Sequence, residues 1–279
     1  MGPVSGFTSQ LVEAASLIDR VRIEIGSGRV DIVPNDGTET EVTLEVDSGS
    51  EEDVIFKVHD GELLVEGPRN VRHGPDIQVR ISTPATLEAR IKTGSGDIGS
   101  RMPLSTARLS TGSGDVRLER VEGDLAINTG SGDVRVEHAA GVVRAGTGSG
   151  SITIDEAADA LGLSTGSGDV RVGDAAGPTT VKVGSGDITI ERIRDHSVAT
   201  SGSGDVRVEI ADGPSVQAET ARGDVQIGVP DGVPAYLDLK TVTGRIRCDL
   251  EPGERPAEGE RALMLRARTV SGDISVVKV

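Results

Sequence analysis

The sequence contains almost no aromatic residues. Phe7, Phe56 and Tyr236 are the only ones among 279 residues, and tryptophan is absent. Aromatic rings normally supply a large part of the buried area of a compact core. Their scarcity argues against a broad core and predicts a narrow interior filled by valine, isoleucine, leucine and alanine.

Cysteine and long apolar runs are also scarce. Cys248 is the only cysteine, so the chain cannot form an internal disulfide, and the redox compartment stays open. The first twenty residues have neither a basic start nor an uninterrupted apolar stretch. We therefore expect no secretory signal, no membrane span and a cytoplasmic location.

Basic residues are outnumbered by acidic ones. The 29 Lys and Arg residues stand against 45 Asp and Glu residues, which gives a formal net charge of −16. Binding to nucleic acid or to anionic lipid requires clustered positive charge, so both classes of partner are disfavoured. The charge is compatible with basic partners, with divalent cations or with solubility alone.

What the chain has in abundance is one repeated turn. The tripeptide Gly-Ser-Gly, usually followed by Asp, begins at Gly94 and recurs every 18 residues up to Gly202. "VHDGELLV" adds Gly61 to the same frame, so the chain has about twelve turns. The second glycine of the turn occupies Gly28, Gly96, Gly114, Gly132, Gly150, Gly168, Gly186, Gly204, Gly223, Gly244 and Gly272.

The two glycines of the turn differ in how strictly they recur. The first is replaced by His59, Ala221, Val242 and Val270, whereas the second is never replaced. A left-handed backbone or a close backbone contact excludes a side chain. We expect such a constraint at the second glycine and tolerance of a Cβ atom at the first.

Each turn is followed by a strand and preceded by another. Val116 and Leu118 alternate with Arg117 and Glu119, and a second apolar alternation at 125–127 leads into the next turn. An 18-residue unit of two short strands cannot bury its apolar face alone, whereas stacked units can. The sequence predicts an all-β fold, a single-stranded parallel β-solenoid (β-helix) of about twelve coils. A β-propeller is disfavoured because successive 18-residue units resemble one another directly.

The repeat also suggests how the chain is organised. We expect one continuous domain, with a short helix or an irregular cap over residues 8–18 and an exposed loop over 250–261. Its parts are an N-terminal extension or cap (1–20), irregular N-terminal coils (21–93), regular 18-residue coils (94–221), and less regular C-terminal coils with a cap (222–279).

A column of aspartates next to the turns has two interpretations. Stacked carboxylates could bind calcium, which prefers several oxygen ligands. Alternatively, each aspartate accepts a backbone amide hydrogen of the turn, which is the favoured reading. The residues of the calcium alternative are Asp115, Asp133, Asp169, Asp187 and Asp205.

No other pattern predicts a reaction. The turn lacks the Lys-Ser/Thr ending of a phosphate-binding loop, no serine elbow is present, and every coil offers the same carboxylate geometry. The four histidines fall at different phases of the repeat, and hydrogen bonding between coils accounts for the threonine column of Thr111 and its equivalents. We expect no catalytic residue and no cofactor, and we interpret the chain as not an enzyme. The candidate interaction ladder is the outward column Arg117, Arg135, Arg171 and Arg207.

The repeated motif T-G-S-G-D-[VI]-x-[VI] resembles the bacterial β-strand-repeat family commonly labelled "putative adhesin". The resemblance covers residues 20–279 and includes "GVPAYLDLKTVTGRIRCDL" (232–250), which looks like the closing segment of that family. It implies a β-solenoid with a non-catalytic binding or scaffolding role.

The sequence favours a binding or scaffold protein whose faces dock an unknown protein or glycan. Two further classes of function stay open. One is a self-assembling structural or cytoskeletal element joined end to end, although the irregular ends favour a monomer. The other is a calcium-stabilised solenoid.

Overall fold

The computed structural model describes residues 8–14, 18–47, 54–68, 75–250 and 262–279. These residues form strands, turns and bends, with no helix among them, and hence no described helix long and apolar enough to cross a membrane. The chain divides into two compact units, Met1–His138 (unit 1) and Ala139–Val279 (unit 2). The expectation of one continuous domain stays a prediction.

Thirteen of the described strands begin in unit 1. They are β1 (Thr8–Ala14), β2 (Arg20–Ile25), β3 (Ser27–Pro34), β4 (Thr40–Asp47), β5 (Ile55–His59), β6 (Glu62–Glu66), β7 (Asp76–Thr83), β8 (Leu87–Thr93), β9 (Asp97–Ser100), β10 (Leu104–Thr111), β11 (Val116–Val121), β12 (Leu125–Thr129) and β13 (Val134–Ala139).

The remaining described strands belong to unit 2. They are β14 (Val143–Thr147), β15 (Ile152–Ala157), β16 (Leu161–Thr165), β17 (Val170–Ala175), β18 (Thr179–Ser185), β19 (Ile188–Ile193), β20 (Ser197–Ser203), β21 (Val206–Ala211), β22 (Ser215–Arg222), β23 (Val225–Val229), β24 (Ala235–Thr243), β25 (Ile246–Cys248), β26 (Leu263–Ser271) and β27 (Ile274–Lys278).

The predicted parallel β-solenoid is confirmed. Each coil has a leading strand before the glycine turn, such as β10, and a trailing strand after it, such as β11. Leading strands pair in parallel with leading strands, as in Leu109↔Ile127, and trailing strands with trailing strands, as in Val116↔Ile98. The 18-residue spacing keeps this alignment from one regular coil to the next, so equivalent side chains stack.

The interior is aliphatic, as the shortage of aromatics predicts. All buried apolar side chains of the described residues are isoleucine, valine, leucine or alanine. In β11 the buried positions are Val116, Leu118 and then Val121, so the alternation slips by one residue. Two consecutive outward residues recur at the same place in β13, β15 and β17, just before the bend that follows each of these strands.

The first coil of unit 1 is inserted out of sequence order. Strand β2 pairs with both β6 and β8, and β3 pairs with both β7 and β9. The coil formed by β2 and β3 therefore lies between two coils that follow it in the chain. The repeat alone predicts stacking in chain order, so this exchange is visible only in the strand pairing.

Three described strand pairs of unit 1 are antiparallel. Strand β4 pairs antiparallel with β7 and with β1, and β5 pairs antiparallel with β6. The helix considered for residues 8–18 is wrong over Thr8–Ala14, which form strand β1, while residues 15–17 lie outside the described part.

Gly61 is a hairpin glycine and not a solenoid turn. Asp60 and Gly61 join β5 to β6, and both have left-handed backbones, with φ of 47° and 74°. Two consecutive positive φ values with the Asp-Gly sequence are typical of a type I′ hairpin. Local turn chemistry therefore overrides the agreement of "VHDGELLV" with the repeat frame.

The last coil of unit 2 is also inserted. Strand β26 pairs with β22 on one side and with β24 on the other, and β27 lies in the same way between β23 and β25. The coil of β24 and β25 is therefore the outermost described coil, although the coil of β26 and β27 follows it in the chain.

Candidate functional site

The aspartate column forms hydrogen bonds between coils. In unit 1 the amide of Asp115 donates to Oδ1 of Asp97 at 2.9 Å, and the amide of Asp133 donates to Oδ1 of Asp115 at 2.9 Å. In unit 2 the aspartates at 169, 187, 205 and 224 accept the equivalent amide of the adjacent coil at 2.7–2.8 Å. These aspartates thus accept backbone amide hydrogens, as the favoured interpretation predicts, but each amide belongs to the neighbouring coil.

The same contacts bear on the calcium alternative. Of its five aspartates, Asp115, Asp169, Asp187 and Asp205 each accept a backbone amide with Oδ1, and Asp133 donates its own amide to the column. The part of the chain that the structure describes contains no group of three His, Cys, Asp or Glu residues placed to hold a metal ion.

The turn glycines pack against the carbonyl groups of the adjacent coil. A Cβ atom on Gly132 would lie 2.5 Å from the carbonyl carbon of Gly114, whereas one on Gly130 would lie 3.4 Å from that of Gly112. Both would also meet the carbonyl oxygen, so the first glycine of a regular turn is crowded too. The expected tolerance at the first position does not hold in the regular coils. At the second position of the turn, positive φ values occur at Gly28, Gly186, Gly204, Gly223, Gly244 and Gly272. Gly96, Gly114 and Gly168 are crowded by backbone atoms in the same way as Gly132. The carbonyl oxygen of Gly150 accepts a hydrogen bond from the hydroxyl of Thr165.

The arginine ladder does not form one uniform column. In unit 2 Arg171 and Arg207 each face Thr189, which lies in the coil between them. In unit 1 Arg117 and Arg135 line a groove on the outer face of the trailing strands, and Arg117 lies opposite Gly99. The two arginines of the ladder that lie in unit 1 therefore line a surface groove.

This depression, called the arginine groove here, has a volume of about 470 Å³. Volumes of this size are common for sites that hold small ligands. Five arginines and four acids line it together with Gly99 and neighbouring aliphatic residues: Arg29, Arg80, Arg101, Arg117, Arg135, Asp31, Asp97, Glu119 and Glu137.

Gly99 opens the groove. It pairs with Asp31 on one side and with Arg117 on the other, so it occupies an outward position where both neighbours carry long or charged side chains. A Cβ atom on Gly99 would meet only the side-chain Oδ1 of Asp31, at 2.9 Å, and no backbone atom. Because the backbone does not exclude a side chain here, this glycine differs from the turn glycines, and its effect is to leave space.

The charges around the groove divide into paired and unpaired groups. Arg117 donates to Asp115 at 2.7 Å, and Arg29 lies 3.7 Å from Asp31 and 3.6 Å from Asp97. By contrast, the side chains of Arg80, Arg101, Glu119 and Glu137 form no ion pair or hydrogen bond with any other described residue. The groove therefore presents both unpaired cations and unpaired hydrogen-bond acceptors.

A model of the Toastrack DUF4097 family matches residues 18–277. The chain belongs to this family. The resemblance inferred from the repeated motif is thereby confirmed, and the Toastrack match covers both units and the arginine groove. No curated protein shows significant sequence similarity to the chain.

Several solved structures are similar to this Toastrack chain at low identity. A "putative adhesin" from Bacteroides fragilis is 13% identical, with 99% of both chains covered and a TM-score of 0.45. A "putative adhesin" from Parabacteroides distasonis is 15% identical, with 97% of both chains covered and a TM-score of 0.39. A "putative lipid binding protein" from the same organism is 14% identical, with 97% and 96% covered and a TM-score of 0.39.

Sequence reasoning missed Gly99, Arg80 and Arg101. A signal for two of them is present in the repeat, because "DIGSR" (97–101) stands where other coils have "DVRLE" or "DVRVE". The exchange removes one arginine from the ladder and puts another where a glutamate is usual. Arg80 gives no such signal, because it reaches the groove through the parallel pairing of β7 with the inserted strand β3.

Proposed function

We propose that this Toastrack chain is a non-enzymatic binding protein and that the arginine groove of unit 1 is its recognition surface. The observation that carries the proposal is a set of four charged side chains on one groove that have no partner among the described residues: Arg80, Arg101, Glu119 and Glu137. Charged groups left without partners beside a depression are available to a ligand at no cost to the fold.

The chemistry of these groups favours an acidic glycan. A guanidinium group binds a carboxylate through two parallel hydrogen bonds. The carboxylates of Glu119 and Glu137 can accept hydrogen bonds from hydroxyl groups but would repel further carboxylates. A sugar that carries one carboxylate and several hydroxyls matches both sets, whereas a run of acidic residues in a peptide matches only the arginines.

The regular faces support a binding role without catalysis. Their aspartates and threonines already hold neighbouring coils together, as in the bond from Thr165 Oγ1 to the carbonyl of Gly150 at 2.9 Å. Groups occupied in this way keep the faces rigid and flat. A rigid surface binds with little loss of conformational entropy, which favours recognition.

The proposal is tested by calorimetric titration of the full chain with sialyllactose, a trisaccharide that carries one carboxylate and several hydroxyls. We expect binding of this acidic trisaccharide and none of the neutral galactose trisaccharide. Arg101→Gln and Arg80→Gln should each weaken binding by about tenfold or more, because each removes a charge-assisted hydrogen-bond donor. Arg171→Gln is the matched control, since it removes an exposed outward arginine of unit 2, and it should leave the affinity unchanged.

Gly99→Arg provides a second variant that does not depend on removing charge. It should abolish binding by filling the groove while adding a positive charge. Equal binding of the neutral trisaccharide, tighter binding of tetraglutamate, or an unaffected Arg101→Gln variant would each contradict the proposed recognition. Mass spectrometry of the recovered trisaccharide checks the non-enzymatic part, because a cleaved or modified sugar would refute it.

A further inference from the structure

The outermost described coil of unit 2 has an edge without a partner strand among the described residues. Strand β24 pairs with β26, and β25 pairs with β27, but no described strand pairs with the other edge of either. An open edge presents a row of free backbone donors and acceptors that can add another strand. At nine residues, β24 is also among the longest strands of the described chain.

Exposed apolar side chains concentrate at this same end. Six of the eight exposed large hydrophobic residues of the described chain lie in the last two coils, with exposures of 39–68%. They are Tyr236, Leu237, Val242, Ile246, Met264 and Val270. Leu237 and Ile246 are in register with the buried Leu265 and Ile274, so they continue the core and are exposed because no described coil covers them. Clustered exposure of this kind marks an interaction surface.

We propose that this edge pairs with the same edge of a second copy, with the two β24 strands antiparallel and Leu239 of one copy opposite Leu239 of the other. The sequence of β24 is complementary to itself in this register. Asp238 then faces Lys240 of the other copy, and Tyr236 faces Val242, in both halves of the pair. Opposite charges and aromatic–aliphatic pairs are the favourable cross-strand combinations.

Neighbouring contacts fit this arrangement. Tyr236 is in register with Met264, and Val242 and Val270 line one surface depression, so pairing joins two exposed apolar stripes, one from each copy. Lys240 has no ion pair or side-chain hydrogen bond with another described residue, and Asp238 is held by Arg266 at 2.9 Å and Arg268 at 3.1 Å. The acidic partner is thus fixed in position, and the lysine is free to reach it.

A lysine on an edge strand normally opposes strand addition, because its charge would be buried against another chain. Here each Lys240 faces Asp238 of the other copy. The lysine therefore disfavours pairing with other strands but permits pairing with a second copy of this chain. Such an interface uses the same edge on both copies, and therefore the assembly stops at two. This distinguishes the pair from the end-to-end filament considered from the sequence.

Sedimentation equilibrium of the full chain over a concentration series tests the stoichiometry. We expect a monomer–dimer equilibrium, with the dimer dissociation constant raised about tenfold or more by Lys240→Glu, which places like charges opposite one another. Lys182→Glu is the control, because Lys182 also faces outward from a leading strand, and it should change nothing. A monomer at every concentration, or species that grow beyond two, would overturn the proposal.

Cysteine cross-linking tests the register in a Cys248→Ser background. Leu239→Cys alone should form a disulfide-linked dimer, because opposite residues of an antiparallel pair lie within disulfide reach. Tyr236→Cys alone should not, but an equimolar mixture of Tyr236→Cys and Val242→Cys should. A dimer without this cross-linking pattern would refute the proposed pairing. So would a dimer in which another segment of the chain covers the edge of β24.

Discussion

At the scale of the residue, the glycines of this protein divide by what faces the missing side chain. Gly132 faces the backbone carbonyl of the adjacent coil, whereas Gly99 faces only the flexible carboxylate of Asp31. The first kind permits close stacking of coils, and the second kind opens a groove. The same residue type therefore serves the fold in one place and the proposed site in another.

This difference predicts graded effects of alanine substitution. Gly132→Ala should lower the free energy of unfolding by about 2 kcal/mol or more, because backbone atoms cannot move aside. Gly130→Ala should cost less, and Gly99→Ala should stay within about 1 kcal/mol, since Asp31 can rotate away. Denaturant unfolding of the three variants measures this order; equal midpoints for Gly132→Ala and Gly99→Ala would be incompatible with it.

Thr165 offers a second test at the residue scale. Its hydroxyl accepts a bond from the amide of Gly168 at 3.1 Å and donates to the carbonyl of Gly150 at 2.9 Å. Thr165→Val should cost about 1–3 kcal/mol, because it leaves buried backbone groups without partners.

The chain supplies a natural control for this threonine. Val183 is in register with Thr165 in the next coil, and the amide of Gly186 there bonds to the carbonyl of Ser203 at 2.8 Å. Val183→Thr should therefore change stability little. If Thr165→Val unfolds at the same denaturant concentration as the unchanged chain, the hydroxyl bonds contribute nothing measurable.

At the scale of the element, coils are joined by side chains as well as by strand pairing. The aspartate ladder follows spatial order and not chain order: Asp273 donates its amide to Asp224, and Arg245 donates its amide to Asp273. A second link lies at the bend after the trailing strands, where Arg194 Nε donates to Oδ1 of Asp174 at 2.7 Å.

The pair of Asp174 and Arg194 predicts a pH dependence. The hydrogen bond from Arg194 is the main reason that the pKa of Asp174 lies below its usual value. Because the pKa in the folded chain is below that in the unfolded chain, the pair stabilises the fold above about pH 4, and this stabilisation is lost as pH falls through the lowered pKa. Arg194→Gln should lower the melting temperature at neutral pH, and the difference should shrink in acid.

Arg171→Gln is the appropriate comparison, since Arg171 is also exposed and forms no ion pair within the described residues. A nuclear magnetic resonance titration of the Asp174 carboxyl carbon measures the pKa directly. An unchanged titration of Asp174 in Arg194→Gln would show that the hydrogen bond is not the cause of the low pKa.

At the scale of the whole molecule, stacking order departs from chain order in both units. The first coil of unit 1 and the last coil of unit 2 each lie between two coils that are sequential neighbours. The outermost described coil of unit 2 thus depends on a segment that comes after it in the chain.

This dependence predicts an asymmetric response to disruption. Leu265→Asp puts a charge into the inserted coil and should remove hydrogen-exchange protection from both 235–248 and 263–278, because the outer coil loses its support. Leu237→Asp, at the position in register with Leu265, should affect only 235–248. Stacking in chain order predicts the opposite result, with Leu265→Asp confined to its own coil.

The sequence by itself determined the solenoid and its aliphatic core. The 18-residue spacing fixes the strand alignment, and the alternation at positions such as Val116 and Leu118 fixes which side chains are buried, because both depend only on local periodicity. The threonine hydrogen bonds between coils follow from the same spacing. Family membership was also evident, since the motif that identifies it is the repeat itself.

Only the tertiary structure decided the stacking order at the ends, the hairpin at Gly61 and the arginine groove. Each depends on contacts between segments distant in the chain, which a local repeat does not encode. Arg80 and Arg101 meet at one groove because β7 packs beside the inserted coil of β2 and β3. The self-complementary edge of β24 is exposed for the same reason: β26 occupies the inner position and leaves β24 outermost.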